Sequence, residues 1–218
     1  SVNAPSDRAI VFVDGNNFWH ALRNLGLSDL GRLNYAIVSN RLLGPRQWVE
    51  TRYYVGQRKN TGNGFAYNQQ RVALNFLRSC DPRISLHLGR IESHMEENKT
   101  ATQLKRYLAD LNARGVRIDA EVFRDLVSLG NATQYTEIFR EKAVDVALAV
   151  DMVVLAERNQ YDAAYLLSAD GDYTPAVKAV RETGKRVYVA SPANGAQLAA
   201  VADSFIRLDK AWFSGCFA

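Results

Sequence analysis

The chain has 218 residues, 47% apolar and 23% charged, with a net charge of +4. These values are ordinary for a globular protein. They lead to one α/β domain with a sizeable core, with two small domains as the alternative. Cys80 and Cys216 are too few for a disulfide framework, so a reducing cytoplasm is the expected setting. Asp145 and Asp151 interrupt the richest apolar run before it reaches the ~18 residues of a membrane span. No secretory pattern opens the chain, and no membrane partner is expected.

Charge is uneven. Residues 41–90 hold nine Arg or Lys against two acidic residues, whereas residues 91–173 hold nine against fifteen Asp or Glu. Clustered basic charge beside clustered acidic charge suits a polyanion bound across a metal site. An ordinary solvated surface is the plainer alternative.

Residues 10–14 are a continuous apolar run and read as a first, doubly buried strand. Asn17 to Leu25 reads as a helix ended by Gly26, and Tyr35 to Leu43 as a second one stopped by Gly44-Pro45. Val49 to Gly56 is a strand, Gln57 to Gly64 a loop, Phe65 to Arg78 a helix and Ile84 to Ile91 a third strand. Thr102 to Ala113 carries a leucine stripe and reads as a helix. Val116 to Leu126 reads as strand or loop, and Gly130 to Thr133 as a turn. Residues 92–133 therefore look like an insertion at the sheet edge. Glu141 to Arg158 is apolar nearly all round, which predicts a buried helix. Ala163 to Leu167 is a fourth strand, 175–183 a helix capped by Thr174, and Lys185 to Ala190 a fifth strand. A short helix at 195–203 and a strand from Phe205 to Leu208 close the chain. Alternating strands and helices predict a parallel sheet with right-handed crossovers and strand order 3-2-1-4-5.

In that order the first and fourth strands are neighbours, and their C-terminal ends form the crevice where open sheets bind ligands. FVDGNN ends the first strand on Asp14, and LLSADGDYTP ends the fourth on Asp170 and Asp172. Asp145 lies in the first turns of the apolar helix. Four carboxylates meeting there suit a hard divalent cation, Mg²⁺ or Mn²⁺. Each has a plainer alternative: a cap or turn for Asp170 and Asp172, an ion pair with Lys142 for Asp145. Asp151 lies about 120° round the helix from Asp145 and is expected outside the metal cage as a hydrogen-bonding residue. Asn16 and Asn17 are expected to cap the next helix or orient a ligand. Arg58 and Lys59, in the loop after the second strand, are candidates for phosphate contacts.

FVDGNNF, EKAVDVALAVDMV and LLSADGDYTPAVKAVRETGKRVYVAS together, in this order, resemble the NYN domains, the PIN-like ribonucleases that include LabA-like bacterial proteins. The resemblance spans about residues 9–209. It implies a three-layer α/β/α PIN-like fold and Mg²⁺- or Mn²⁺-dependent cleavage of RNA. It implies catalytic roles for Asp14, Asp145, Asp170 and Asp172, the first three as metal ligands, with Asn16 or Asn17 in support. No histidine is needed, and His20, His87 and His94 read as surface or packing residues. Two other readings remain open: a nucleic-acid-binding or regulatory module that does not cleave, and a phosphohydrolase acting on DNA or a nucleotide. A homo-oligomer is also open.

Overall fold

The computed structural model describes residues 7–57 and 64–218, without the side chains of residues 66, 91–94 and 137–142. Arg58, Lys59, and the side chains of Lys142 and His94, therefore lie outside the described residues. The chain divides into two compact units, residues 1–91 with 141–218, and residues 92–140.

The first unit is built on β1 (Arg8–Asp14), whose residues Ala9 to Val13 are no more than 2% exposed. Strand β2 (Gln47–Gln57) flanks it on one side and β5 (Ala163–Leu167) on the other, both parallel. Strand β3 (Ile84–Glu97) pairs parallel with β2, β6 (Arg186–Ser191) with β5, and β7 (Ser204–Arg207) with β6. The full sheet order is β4-β3-β2-β1-β5-β6-β7, where β4 is Tyr135–Lys142. Successive side chains of β1 point to opposite faces. Val11 and Val13 join one core with α1 (Gly15–Asn24), α2 (Tyr35–Leu43) and Leu77 of α3 (Phe65–Cys80). Ile10 and Phe12 join the other, with α6 (Val144–Glu157), α7 (Thr174–Glu182) and α8 (Ala196–Ala199). The result is a three-layer α/β/α sandwich.

Several sequence expectations change. The apolar helix starts at Val144, because Tyr135–Lys142 is strand β4. It is not buried all round. Val144, Leu148, Met152 and Ala156 form one buried stripe, four residues apart, while Val146 is 66% exposed and Val150 51%. The hydrophobic pattern had no polar face to mark the outside. Helix α1 is capped by Asp14, not by either asparagine. Helix α7 begins at Thr174 without a side-chain cap, and the Thr174 hydroxyl is buried without a hydrogen-bond partner among the described residues.

In the second unit, Val116 to Asp119 is loop, but the rest of the stretch to Leu126 is neither strand nor loop. Helix α5 covers Ala120–Ala132 and takes in Gly130, so the expected turn there is also absent. Asp119 explains the start: its carboxylate accepts the N–H groups of Glu121 and Val122. Helix α4 (Lys99–Ala113) is capped in the same way by Asn98 and packs on α5. Among the described residues no helix is long and apolar enough to cross a membrane.

The starts of β1 and β5 are tied by Asp162. Its carboxylate accepts the Arg8 backbone N–H at 2.9 Å and the guanidinium at 3.0 and 3.1 Å. These bonds hold the Asp162 carboxyl well below the usual carboxylate range. A carboxylate so depressed stabilises the fold above its unfolded pKa, and the gain is lost as pH falls through the folded one. Asp162→Asn is therefore expected to lower Tm at neutral pH. The gap from wild type should shrink below about pH 4, where unfolded aspartate protonates. Thermal melts between pH 7 and pH 3 check this; a constant gap would remove the charge from the explanation.

Candidate active site

The sheet order reverses direction between β1 and β5, so the crevice lies at their C-terminal ends. Asp14 ends β1 and is 2% exposed. Val13 pairs with Leu167, so Asp14 stands level with Ser168, the residue that follows β5. A glycine must come next. A Cβ on Gly15 would stand 2.7 Å from the Tyr54 carbonyl oxygen and 2.6 Å from the Tyr53 ring.

Every oxygen of the Asp14 carboxylate is engaged. Oδ1 accepts the Asn17 N–H at 3.0 Å, while Oδ2 faces the Ser168 and Tyr173 hydroxyls, each at 3.2 Å. The Tyr173 hydroxyl also lies 3.1 Å from Asp145 Oδ1. One phenolic proton thus serves two carboxylates. Burial pushes the Asp14 carboxyl up to about 6, against the Asn17 N–H that lowers it; the Asp145 charge adds to the rise. Burial, then the two carboxylates, also push the Tyr173 phenol up, so it stays protonated and donates.

Of the four predicted aspartates, Asp14 and Asp145 come together through Tyr173. Asp170 caps, and Asp172 lies within, the 3₁₀ turn Gly171–Tyr173 that follows β5. Asp170 Oδ1 accepts the Asp172 N–H at 3.0 Å, the capping bond anticipated as its plainer role. The Asp170 N–H in turn donates to Ser168 Oγ at 3.1 Å. Among the described residues no three His, Cys, Asp or Glu side chains form a group that could hold a metal. A cage of three carboxylates is therefore not assembled. A pair still fits a hard divalent cation, since Mg²⁺ is commonly bound by one or two carboxylates together with waters and phosphate. The two negative groups sharing one proton are a donor set that a cation would complete.

Asn17 links the two strand ends, because its Oδ1 accepts the Ala169 N–H at 3.0 Å. Asn16 is exposed and makes no such bond. Asp151 lies away from the pair. Its Oδ2 accepts the Tyr54 hydroxyl at 2.6 Å and Arg52 Nη2 at 2.9 Å, fastening α6 to β2. Sequence reasoning missed Ser168, Tyr173 and Tyr54. Ser168 is legible from the parallel register with Asp14; the other two read as ordinary aromatic residues. A separate surface cavity of about 460 Å³ lies at the opposite end of the sheet, by Lys178, Arg181 and Lys185. Arg181 pairs with Asp203 and Lys185 with Asp162, so little free positive charge remains there.

A parallel sheet between two helical layers, with carboxylates at its switch point, defines a PIN-like α/β/α protein. The chain belongs to the NYN domain family, whose model matches residues 8–209. That family has a nuclease-like fold. The solved structure of a protein of unknown function from Vibrio parahaemolyticus is similar, with a TM-score of 0.57 and 17% identity over 96% of this chain and 98% of that one. A search of curated proteins finds no match.

The Tyr173 bridge yields a stability test. Tyr173→Phe removes the shared proton and leaves two carboxylates facing each other. In EDTA the loss should be about 1.5–3 kcal/mol, the range for hydrogen bonds to charged groups. In Mn²⁺ the loss should be smaller, because a cation screens the pair. Urea unfolding in both buffers measures the difference, and equal losses would mean that the cation does not reach the carboxylates.

Proposed function

We propose that the protein is a cytoplasmic, metal-dependent endoribonuclease that hydrolyses RNA phosphodiester bonds. The observation that carries this reading is the meeting of Asp14 and Asp145 on the Tyr173 hydroxyl, at the switch point of a NYN-family fold. Asp14 and Asp145 would hold Mg²⁺ or Mn²⁺. When bound, that ion would supply charge neutralisation at phosphate and an activated water. Asp14 is fixed for this by Asn17, Ser168 and Tyr173, and Asp145 stands exposed at the first turn of α6, where substrate can reach it. Asp170 and Asp172, in the turn after β5, would stand beside Asp14 and Asp145. Asp170 keeps Oδ2 free of hydrogen bonds among the described residues, so it can orient water or complete the ligand set once phosphate is present. Arg58 and Lys59 remain candidates for phosphate contacts on sequence grounds alone.

The second reading is a nucleic-acid-binding module that does not cleave. It is favoured by the one observation that no three acidic side chains form a metal group among the described residues.

Labelled RNA and DNA incubated with Mn²⁺ or EDTA separate the two. The nuclease reading expects Mn²⁺-dependent cleavage that Asp14→Asn and Asp145→Asn each reduce by orders of magnitude. Asp170→Asn should cut the single-turnover rate while RNA binding persists or tightens, since a carboxylate without metal repels phosphate. Binding without cleavage by the wild type would favour the module. Wild-type rates in Asp170→Asn would take that residue out of the reaction.

A further inference from the structure

Strands of a parallel sheet are buried on both faces and tend to be apolar throughout. On the α6 face, β2 and β3 depart from this rule. They carry Glu50, Arg52, Ser85 and His87, all partly buried, beside the fully buried Tyr54. The register places this strip beside the carboxylates. Asp14 pairs with Tyr54, and Tyr54 pairs with His87. Adjacent strands stand about 4.8 Å apart, so the backbone at His87 is roughly 10 Å from that at Asp14, on the same level. The His87 ring stacks on Tyr54 with centroids 4.6 Å apart and planes at 19°.

The hydrogen bonds of the strip fix which His87 nitrogen is free. Glu50 is acceptor-only and receives Arg52 Nη1 at 3.2 Å and the Ser85 hydroxyl. Ser85 has one proton, and it goes to Glu50. At 3.0 Å from His87 Nε2, Ser85 Oγ can only accept, so Nε2 carries the ring proton. His87 Nδ1 is then a lone-pair acceptor with no partner among the described residues. Burial, and then the Arg52 charge, lower the imidazole pKa and keep the ring neutral. Arg52 is itself occupied by Glu50, Tyr54 and Asp151. What the strip offers a ligand is therefore an acceptor and a ring, not a phosphate grip.

We infer that His87 is a specificity-determining residue, whose Nδ1 accepts a hydrogen bond from the ribose 2′-hydroxyl of a nucleotide next to the scissile phosphate. This rests on the reading of the crevice as a nucleic-acid site. Tyr54 and His87 stand within β2 and β3, which run on to Gln57 and Glu97; a chain that leaves Asp14 across this face of the sheet reaches the partly exposed His87 two strands away. A sugar–phosphate backbone has one hydrogen-bond donor, the 2′-hydroxyl, and DNA lacks it. A lone acceptor at this place thus selects RNA whatever its sequence.

The test is binding of matched RNA and DNA oligonucleotides in EDTA, where cleavage plays no part. Wild type should bind RNA roughly five- to tenfold more tightly, the value of about one hydrogen bond. His87→Phe keeps an aromatic ring on Tyr54 but has no acceptor. It should weaken RNA binding to the DNA level and leave DNA binding unchanged. His87→Asn sets an amide oxygen near the Nδ1 position and should keep the RNA preference. The inference is overturned by an unchanged RNA-to-DNA ratio in His87→Phe, by an equal loss for both polymers, by a loss that follows base identity, or by no RNA binding in the wild type. Mn²⁺-dependent cleavage, lost in Asp14→Asn, is scored separately. Cleavage with an unchanged ratio would sink the His87 role alone. An RNA preference that depends on His87, without any cleavage, would sink only the nuclease reading.

Discussion

The site depends on the burial of one carboxylate. Asp14 ends the most buried strand, at the point where the sheet order reverses. A carboxylate taken out of water is costly unless its oxygens are satisfied or its charge is met. Here three groups satisfy it: a helix N–H, a serine just past the neighbouring strand β5 and a tyrosine from the turn beyond. Each comes from a different segment, so their agreement on one carboxylate fixes β1, α1 and the β5–α7 turn relative to each other. A second carboxylate then approaches on the far side of the same tyrosine. The like charge raises the cost and adds to the upward push on Asp14. Nothing in folding alone asks for that fourth group, which is the physical reason to see a cation site there.

The buried strands were legible in the sequence because continuous apolar runs ending in Asp or Gly have few other solutions. IVFVD and AAYLL emerged as neighbours, and the predicted order is the core of the observed sheet. Of residues 92–140 only the helix at Thr102 to Ala113 was legible. Asp119 starts another helix there, yet Val116, Val122 and Phe123 have strand-like side chains, and the capping signal was outweighed by them. Helix α6 failed differently. Its valines and alanines run round the whole circumference, so composition could not say which stripe is buried.

At the site, sequence located the aspartates but not their unequal roles. Motif reading groups Asp14, Asp145 and Asp170 as metal ligands with Asp172 beside them, since all are acidic and all lie near strand or helix ends. Burial and hydrogen bonding separate them: one is enclosed, one is held by a phenol, and two form the turn after β5. The groups that make the difference, Ser168 and Tyr173, sit just before and just after the two aspartates of the same motif. They are polar atoms on residues that otherwise pass for strand-end and core residues.

Helix α6 connects the two halves of this chemistry. Asp145 and Asp151 are six residues apart, so they leave the helix about 120° apart and meet different partners. Asp145 meets Tyr173, from the turn after β5. Asp151 meets Tyr54 and Arg52, from β2 on the other side of β1. The helix is therefore held across the switch point by one hydrogen-bonded carboxylate on each flank. Its apolar stripe sets its height above the sheet, but apolar packing alone leaves a smooth helix free to slide or turn by small amounts. The Asp151 clamp removes that freedom, and with it any slack in where the Asp145 carboxylate stands. The same clamp orders Tyr54, the ring on which His87 stacks. A shift of α6 would thus disturb the carboxylate pair and the polar strip together, although no side chain of the strip touches Asp14 or Asp145 among the described hydrogen bonds.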